Sequence, residues 1–412
     1  MKTKGGGSNE QNDAACSPFA QTFEGKLPMN KFVSTAARTE LRELIESLKA
    51  YSKLTIEEIR TLDPIHYYSP EFFELELEHV WTKEWILVGH MCQLKKPGDF
   101  FARDILSEPM IIVRGEDQKV RAISSVCQHR FMPVVRHGQQ GNVKRFMCPY
   151  HLWSYGLDGQ LKGATYMKEH RCFKVEDVAM PQYRVEIWND LIFVNLDDDA
   201  APLAPRLTDA EERLSVFKAP ENYVPAYQHD DIWDVNWKFV AENNENYHTV
   251  AIHPQTVQLS SPTEKYRADL AADGEGWCSA FWGSGDNRPR GRPVPGYKGE
   301  DVLELCTIYP LGTVAIMPDS LSIYPYWPIS VDKTRITAMS IIHPDDVIQE
   351  WEDDHSKSYM AKFLNEDYSA LGGGIGWGVK SKKLKAGMCS NQEEMVLRIH
   401  QHTARKILEA VG

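Results

Sequence analysis

Residues Val126–His151 read VCQHRFMPVVRHGQQGNVKRFMCPYH, and the meaning of this stretch decides the fold. Cys127 and His129 stand one residue apart, Cys148 and His151 two apart, and 18 residues separate the pairs. Two thiolates and two imidazoles form a complete donor set for metal. Three readings fit the pattern. Chance placement on surface loops is the first. A structural zinc site, colourless and redox-silent, is the second. The third is a [2Fe–2S] cluster in which two Cys hold one iron and two His the other. Neutral imidazoles reduce the negative charge around that iron and raise its potential, which makes a one-electron carrier rather than a folding staple.

The surroundings favour the cluster. From Trp85 to about Leu196 the chain consists of short β runs separated by turn residues: PMIIVRG, VRAISSV and YRVEIWNDLIFVNLDDD, the last with a hairpin turn at Asn189-Asp190. Pro149 sits inside CPYH, and SYGLDGQL turns directly after it, which suits two fingers enclosing a cluster. CQHR…CPYHLWSYGLDGQL resembles the Rieske ligand signature, and the surrounding residues suit that all-β domain. The resemblance implies that Cys127, His129, Cys148 and His151 ligate a [2Fe–2S] cluster.

Bulk composition restricts the remaining possibilities. The 412 residues suffice for two or three domains, with 42% apolar and 25% charged residues, an ordinary globular balance. A net charge of −12 argues against nucleic acid or an anionic membrane surface as partner. No apolar run approaches the roughly 20 residues of a membrane helix. The polar, Gly/Ser-rich start MKTKGGGSNEQNDAACSP reads as a disordered leader without a signal-peptide core, so a cytoplasmic location is expected. Cys16, Cys92, Cys172, Cys278, Cys306 and Cys389 show no paired spacing and read as free thiols, mostly core fillers.

A second constellation lies in NWKFVAENNENYHTVAIHP, of which NWKFVAENNENYHTV reads as a helix. Glu245 and His248, three apart, share a helical face. His253, five beyond His248, is rotated from it by about 140° on a continuous helix. The two imidazoles reach one metal only if the helix unwinds between them, at Thr249-Val250 and before Pro254. Two His and one carboxylate form the ligand set of non-haem ferrous oxygenases. The combination resembles the Rieske non-haem iron oxygenases, terminal-oxygenase α subunits, from about Tyr67 onward, through the NWK opener, the EN, the E-x-Y-H and the HP. That resemblance implies His248 and His253 as ligands of a mononuclear Fe(II). It implies Glu245 as the acid linking a cluster-bound His of one subunit to the iron site of the next. Between EN and E-x-Y-H this chain has a single residue, Asn244, where the family usually has two or more, which leaves the role of Asn243 unassigned.

The carboxylate ligand must come from the C-terminal part, where WEDDHSK offers Asp353 and Asp354 and FLNEDYSALGGGIGWG offers Asp367. The family pattern resembles an acidic pair followed, nine residues past the ligand, by Gln-x-Gly. Asp367 has that spacing and the last glycine, Gly378, without the Gln, so Asp367 is the expected ligand. A bridging Glu rather than Asp resembles the homotrimeric carnitine, choline and betaine branch, which oxidises C–H bonds next to nitrogen. Oxidative N- or O-dealkylation of a small organic substrate is the expected reaction, with aromatic cis-dihydroxylation as the alternative. O2 is the co-substrate, and a ferredoxin or flavin reductase the implied electron donor. Trp277, Phe281, Trp282, Tyr309, Tyr324, Tyr326 and Trp327 are candidates for the substrate region or for plain sheet packing.

The expected architecture is α+β. It comprises a leader (1–36), a helical segment (37–84), an all-β Rieske domain (85–197) and an antiparallel-sheet, helix-grip (START-like) catalytic domain (198–412). Residues 37–62 have helical spacing. CTIYPLGTVAIMPDSLSIYPYWPISVDKTRITAMSII reads as three antiparallel strands turning at Pro318-Asp319 and Asp332-Lys333. Ser390 and Glu393 form a capping box for a last helix that buries Met395, Val396, Ile399 and Ile407.

Overall fold

A computed structural model describes residues 35–218, 222–245, 247–253, 256, 267–270, 277–283, 291–297, 302–309 and 312–411. All but the last two residues of the expected leader lie outside them. Helix α1 (Thr35–Tyr51) stops eleven residues before Leu62, where the helical pattern ends. A 3-10 turn, Ile56–Glu58, replaces its continuation, with the Thr55 amide donating to Glu58 at 3.1 Å. Helix α2 (Pro70–Glu76) starts on the Ser69 hydroxyl, which accepts from the Phe72 amide, with Pro70 in the first turn where no amide is needed.

Ten strands follow: β1 (Ile86–His90), β2 (Asp99–Ile105), β3 (Glu108–Arg114), β4 (Val120–Ser124), β5 (Gln140–Asn142), β6 (Phe146–Met147), β7 (Ser154–Tyr155), β8 (Leu161–Gly163), β9 (Gln182–Trp188) and β10 (Leu191–Asn195). Seven form an antiparallel sheet in the order β1-β10-β9-β4-β3-β2-β5, and β6-β7-β8 make a small second sheet. Asn189 and Asp190 both take positive φ, 50° and 61°, as a two-residue turn matched to strand twist requires.

The second half carries β11 (Val224–Trp233), β12 (Arg267–Leu270), β13 (Trp277–Gly283), β14 (Val302–Ile308), β15 (Gly312–Met317), β16 (Ser320–Tyr324), β17 (Tyr326–Ser330) and β18 (Lys333–Ile342). They pair in the order β11-β18-β16-β15-β14-β13-β12, with β17 also on β18. The stretch expected as three strands therefore spans five. Pro325 falls between β16 and β17, where no ladder amide is required. The turn at Pro318-Asp319 stands between β15 and β16 as expected. β1 and this sheet approach closely at Gly312, where a Cβ would lie 2.7 Å from that of Leu87. One apolar core runs through α1, α2, the first sheet and the second.

Three more helices complete the frame: α3 (Trp237–Glu242), α4 (Tyr359–Ala370) and α5 (Glu394–Val411). α5 begins after the expected capping box and buries Met395, Val396, Ile399 and Ile407. α3 is held by a buried ion pair: Lys238 Nζ lies 2.7 and 2.9 Å from the Glu76 carboxylate on α2, which also accepts from Trp237 Nε1 at 3.1 Å. Tyr67 stacks on Phe239 at 4.1 Å, and its hydroxyl shares Glu242 with His400 of α5. These contacts fix the helix that leads into the Glu245–His253 segment. Cys172, expected as a free thiol, is disulfide-bonded, and its partner lies outside the described residues.

Candidate metal centres

The Val126–His151 stretch folds into two loops with the same backbone pattern. The Cys127 amide donates to Met132 O at 2.9 Å, and the Phe131 amide returns to Cys127 O at 3.1 Å. The Cys148 amide donates to Trp153 O at 2.8 Å, and the Leu152 amide returns to Cys148 O at 3.1 Å. The fifth residue of each loop takes positive φ, Phe131 at 59° and Leu152 at 60°, a strain tolerated because each loop must reverse tightly around its cysteine. Both thiols are buried, each only 1% exposed.

His129 and His151 face each other 4.6 Å apart between ring centroids, half-buried, with His129 stacked on Trp153 at 4.8 Å. Tyr155 Oη meets Cys127 Sγ at 3.2 Å and accepts from the Gln128 amide at 3.0 Å. His129 Nδ1 is buried without a hydrogen-bond partner, as a metal-directed nitrogen would be in the absence of its ion. The donors thus fit an iron–sulfur cluster with its sulfur side inside and its imidazole side outward. Phe131 (83% exposed), Tyr150 and Leu152 surround that outward edge with apolar surface.

The second constellation converges as expected, although the backbone takes another route. The helix breaks before His248, not after it. α3 ends at Glu242, a turn carries Asn243–Glu245, and Thr249–Ile252 form one helical turn between the two histidines. His248 Nε2 lies 3.7 Å and His253 Nε2 3.2 Å from the same atom, Asp367 Oδ1. His253 and Asp367 are buried, and the three ligand atoms lie within 4.8 Å of one another. His253 Nε2 and Asp367 Oδ1 are close yet misaligned, so neither has a hydrogen bond. Two ligands each about 2.1 Å from one ion, at a right angle, stand about 3 Å apart. The spacing therefore fits a shared metal better than a hydrogen bond.

Each histidine is oriented through its other nitrogen. His248 Nδ1 meets Glu245 Oε1 at 2.6 Å, and His253 Nδ1 meets Glu366 Oε2 at 3.0 Å. Thr256 Oγ1 donates to the same Glu366 oxygen at 2.8 Å. Phe363, stacked on His253 at 4.1 Å, Glu366 and Asp367 come from one face of α4, three and four residues apart. Burial lowers the proton affinity of His253, but the Asp367 and Glu366 carboxylates outweigh it and raise the pKa. The roles of Glu366 and Phe363 escaped sequence reasoning, although Glu366 is the other half of the acidic pair that pointed to Asp367. Asp353 and Asp354 end a short, separate helix, exposed, with Asp354 3.7 Å from Lys357.

Asn243 and Asn244 line a cavity of about 50 Å³ that reaches Asp367, together with Tyr324 and Tyr326. Asn244 Nδ2 donates to Thr313 Oγ1 at 2.8 Å. Of the other aromatic candidates, Trp277 is fastened to Asp209, while Tyr309, stacked beside His402, and Trp327 are buried in the core. The side chains of Phe281 and Trp282 lie outside the described residues.

Two sets of metal-directed donors on one chain, one gathered around two buried thiols and one of two imidazoles and a carboxylate, suit an electron-fed, iron-dependent enzyme. Residues 84–180 match the Rieske [2Fe-2S] domain family, and residues 220–409 match the ring hydroxylating alpha subunit (catalytic domain) family. The chain belongs to the Rieske non-haem iron oxygenases, as an α subunit carrying a [2Fe–2S] cluster and a mononuclear iron. It is 26% identical over 344 residues to a benzene 1,2-dioxygenase subunit alpha of Pseudomonas putida, covering 73% of this chain and 75% of that one. It is 32% identical over 197 residues to a carnitine monooxygenase oxygenase subunit of Acinetobacter pittii, covering 47% and 53%. A crystal structure of a quaternary ammonium Rieske monooxygenase superposes with a TM-score of 0.73 at 22% identity, over 88% of this chain and 98% of that one. Naphthalene 1,2-dioxygenase from Rhodococcus sp. gives 0.72 at 19%, over 92% and 100%. No helix among the described residues is long and apolar enough to cross a membrane.

Proposed function

We propose that this chain is the terminal oxygenase of an oxidative N- or O-demethylase. Glu245 carries the reading: it is hydrogen-bonded to His248 at 2.6 Å, and a glutamate rather than an aspartate at this position resembles the carnitine, choline and betaine branch. The similarity to the Acinetobacter pittii oxygenase subunit supports it. Cys127 and Cys148 would hold one iron of the cluster and His129 and His151 the other; His248, His253 and Asp367 would hold the mononuclear Fe(II). When bound, that ion supplies oxygen activation at positions the three residues leave open. Electrons enter from a separate ferredoxin or reductase at the His129/His151 edge.

For an N-methyl amine, one O2, two electrons and two protons convert the N–CH3 group to N–CH2OH and release one water. The hemiaminal C–N bond then breaks, the hydroxyl proton passes to nitrogen, and the demethylated amine leaves with formaldehyde. Glu245 and Glu366 hold the imidazoles in the tautomer that presents Nε2, and the buried walls around Asp367 exclude bulk water.

A homotrimer accompanies this reading. Apolar side chains surround the cluster edge, and Tyr247, beside His248, is exposed as well. Exposed apolar side chains at both candidate sites suit a head-to-tail ring. Glu245 would then bridge a neighbour's cluster histidine to His248.

Single turnover tests the reaction: anaerobically reduced protein, a panel of N-methyl, O-methyl and plain aromatic compounds, then oxygen. Formaldehyde supports demethylation. A cis-diol without formaldehyde would favour the second reading, aromatic dihydroxylation, which the 26% identity to benzene dioxygenase motivates.

A further inference from the structure

Where the two large sheets meet, a cavity of about 210 Å³ is lined by Val88, Gln93 and Arg103 on one side and by Gln228, Ile323 and Met339 on the other. It shares no lining residue with the cavity at Asp367. Two of its polar side chains carry N–H groups without an acceptor. Gln93, in the turn after β1, receives the His90 amide on Oε1 at 3.1 Å, which fixes the orientation of its own amide, and its Nε2 is buried without a hydrogen-bond partner. Arg103, on β2, gives Nη1 to the neighbouring Ala102 carbonyl at 3.1 Å, and its Nε is buried without a partner. The Nε–Nη2 edge of the guanidinium therefore has no acceptor among the described residues.

The Arg103 charge has no counter-ion either. Asp230 is the acid that lines the cavity, and both of its oxygens are engaged: Oδ1 receives Arg335 Nη1 at 2.5 Å, and Oδ2 meets His137 Nε2 at 2.6 Å. Arg335 offsets the Asp230 charge, and no carboxylate among the described residues lies within ion-pair distance of Arg103. The guanidinium stands 5.0 Å from the Phe101 ring centroid, a contact that uses none of its edge donors. Burial, above all, pushes the Arg103 pKa down to about 10, with Asp230 raising it and Arg335 lowering it. Arg103 is still protonated at neutral pH, a half-buried cation without the partner such a group ordinarily has.

We infer that this cavity is a binding site for a small organic monocarboxylate, held by the Nε–Nη2 edge of Arg103 and by Gln93 Nε2, with its apolar body against Val88, Ile323 and Met339. One uncompensated positive charge calls for one negative charge. The guanidinium edge matches the two oxygens of a carboxylate. An apolar cavity of about 150 Å³ holds benzene, so the space of about 210 Å³ here accepts an ion the size of benzoate. The site is independent of the reaction at iron and of the demethylase reading. Its occupant would clamp β1 and β2 of the cluster domain against β11, β16 and β18 of the catalytic domain.

The test is isothermal titration of the holoenzyme with benzoate and with benzamide, its uncharged counterpart of the same shape. Benzoate should bind about tenfold tighter or better, since a charge-assisted bidentate contact separates the two. Arg103→Met should abolish that preference, and Arg103→Lys, which keeps the charge, should retain part of it. Gln228 is exposed where it lines the cavity, so Gln228→Glu adds a negative charge there without disturbing the core. It should weaken benzoate by about threefold or more and leave benzamide unchanged, independently of how Arg103→Met folds. Asp367→Ala should bind benzoate as the wild type does, which separates this site from the iron centre. Undetectable binding of benzoate, equal binding of the two probes, wild-type benzoate affinity in Gln228→Glu, a preference that survives Arg103→Met, or one that disappears in Asp367→Ala would overturn the inference.

Discussion

Replacing Glu366 with Gln removes one negative charge beside His253 while preserving size and a carbonyl acceptor. In the wild type, His253 Nδ1 at 3.0 Å and Thr256 Oγ1 at 2.8 Å share one Glu366 oxygen. His253 and Glu366 are buried, so solvent screens the lost charge poorly. Carboxylates that orient metal-bound histidines are worth about 10–100-fold in metal affinity. That range corresponds to about 1.4–2.7 kcal/mol. The retained carbonyl places Gln at the lower end and Ala at the upper end. The assay is anaerobic Fe(II) competition against a chromogenic chelator, with the visible absorption of the cluster as a control for an intact remainder. Fe(II) affinity within about twofold of wild type in both variants would refute the reasoning.

Glu245→Gln should retain both metal centres, because the Glu245–His248 pair is less buried than His253–Glu366, yet lose most turnover; undiminished turnover would remove the bridging role. Tyr155→Phe deletes the hydrogen bond to Cys127 Sγ and should lower the cluster potential, measured by redox titration. A loss of about 1 kcal/mol corresponds to about 40 mV for one electron, and an unchanged potential would count against that contact. Glu84 is pushed up by burial, but the His402 hydrogen bond and the charges of Arg206, His402 and Lys406 prevail and lower its pKa from 4.5 to about 2. A depressed carboxylate stabilises the fold above its unfolded pKa and loses that contribution as pH falls from about 4.5 towards 2. The shift amounts to about 3 kcal/mol. Glu84→Gln should therefore lower the denaturation midpoint strongly at pH 7 and much less at pH 3, whereas a pH-independent difference would contradict the linkage.

The metal-directed residues were legible because their chemistry depends on short spacings. Cys-x-His and Cys-x2-His sit within single loops, and His248 and His253 on either side of one helical turn. Asp367 was legible through its distance to Gly378. Glu366 and Phe363 were not, because their roles depend on which face of α4 meets His253, a tertiary fact. The site of the helix break was misread for a related reason. β-branched Thr249 and Val250 suggested unwinding there, whereas the chain leaves the helix at Asn243, with Asn244 bonded to Thr313 across the cavity. The count of strands was short because in the run LSIYPYWPIS the break between β16 and β17 is marked by Pro325 alone, without a polar turn. The cavity of about 240 Å³ lined by Tyr227, Tyr324, Trp351 and Tyr359 was invisible in sequence, since these residues come from β11, β16, the helix at Gln349–Asp353 and α4.

The central claim is that His248, His253 and Asp367 hold an iron separate from the cluster. Iron content and visible spectra of wild-type and Asp367→Ala protein, purified side by side, test it directly. The wild type should carry about three iron atoms per chain, two in the cluster and one outside it. Asp367→Ala should carry about two, with the cluster spectrum unchanged. A variant that retains all three would contradict the account.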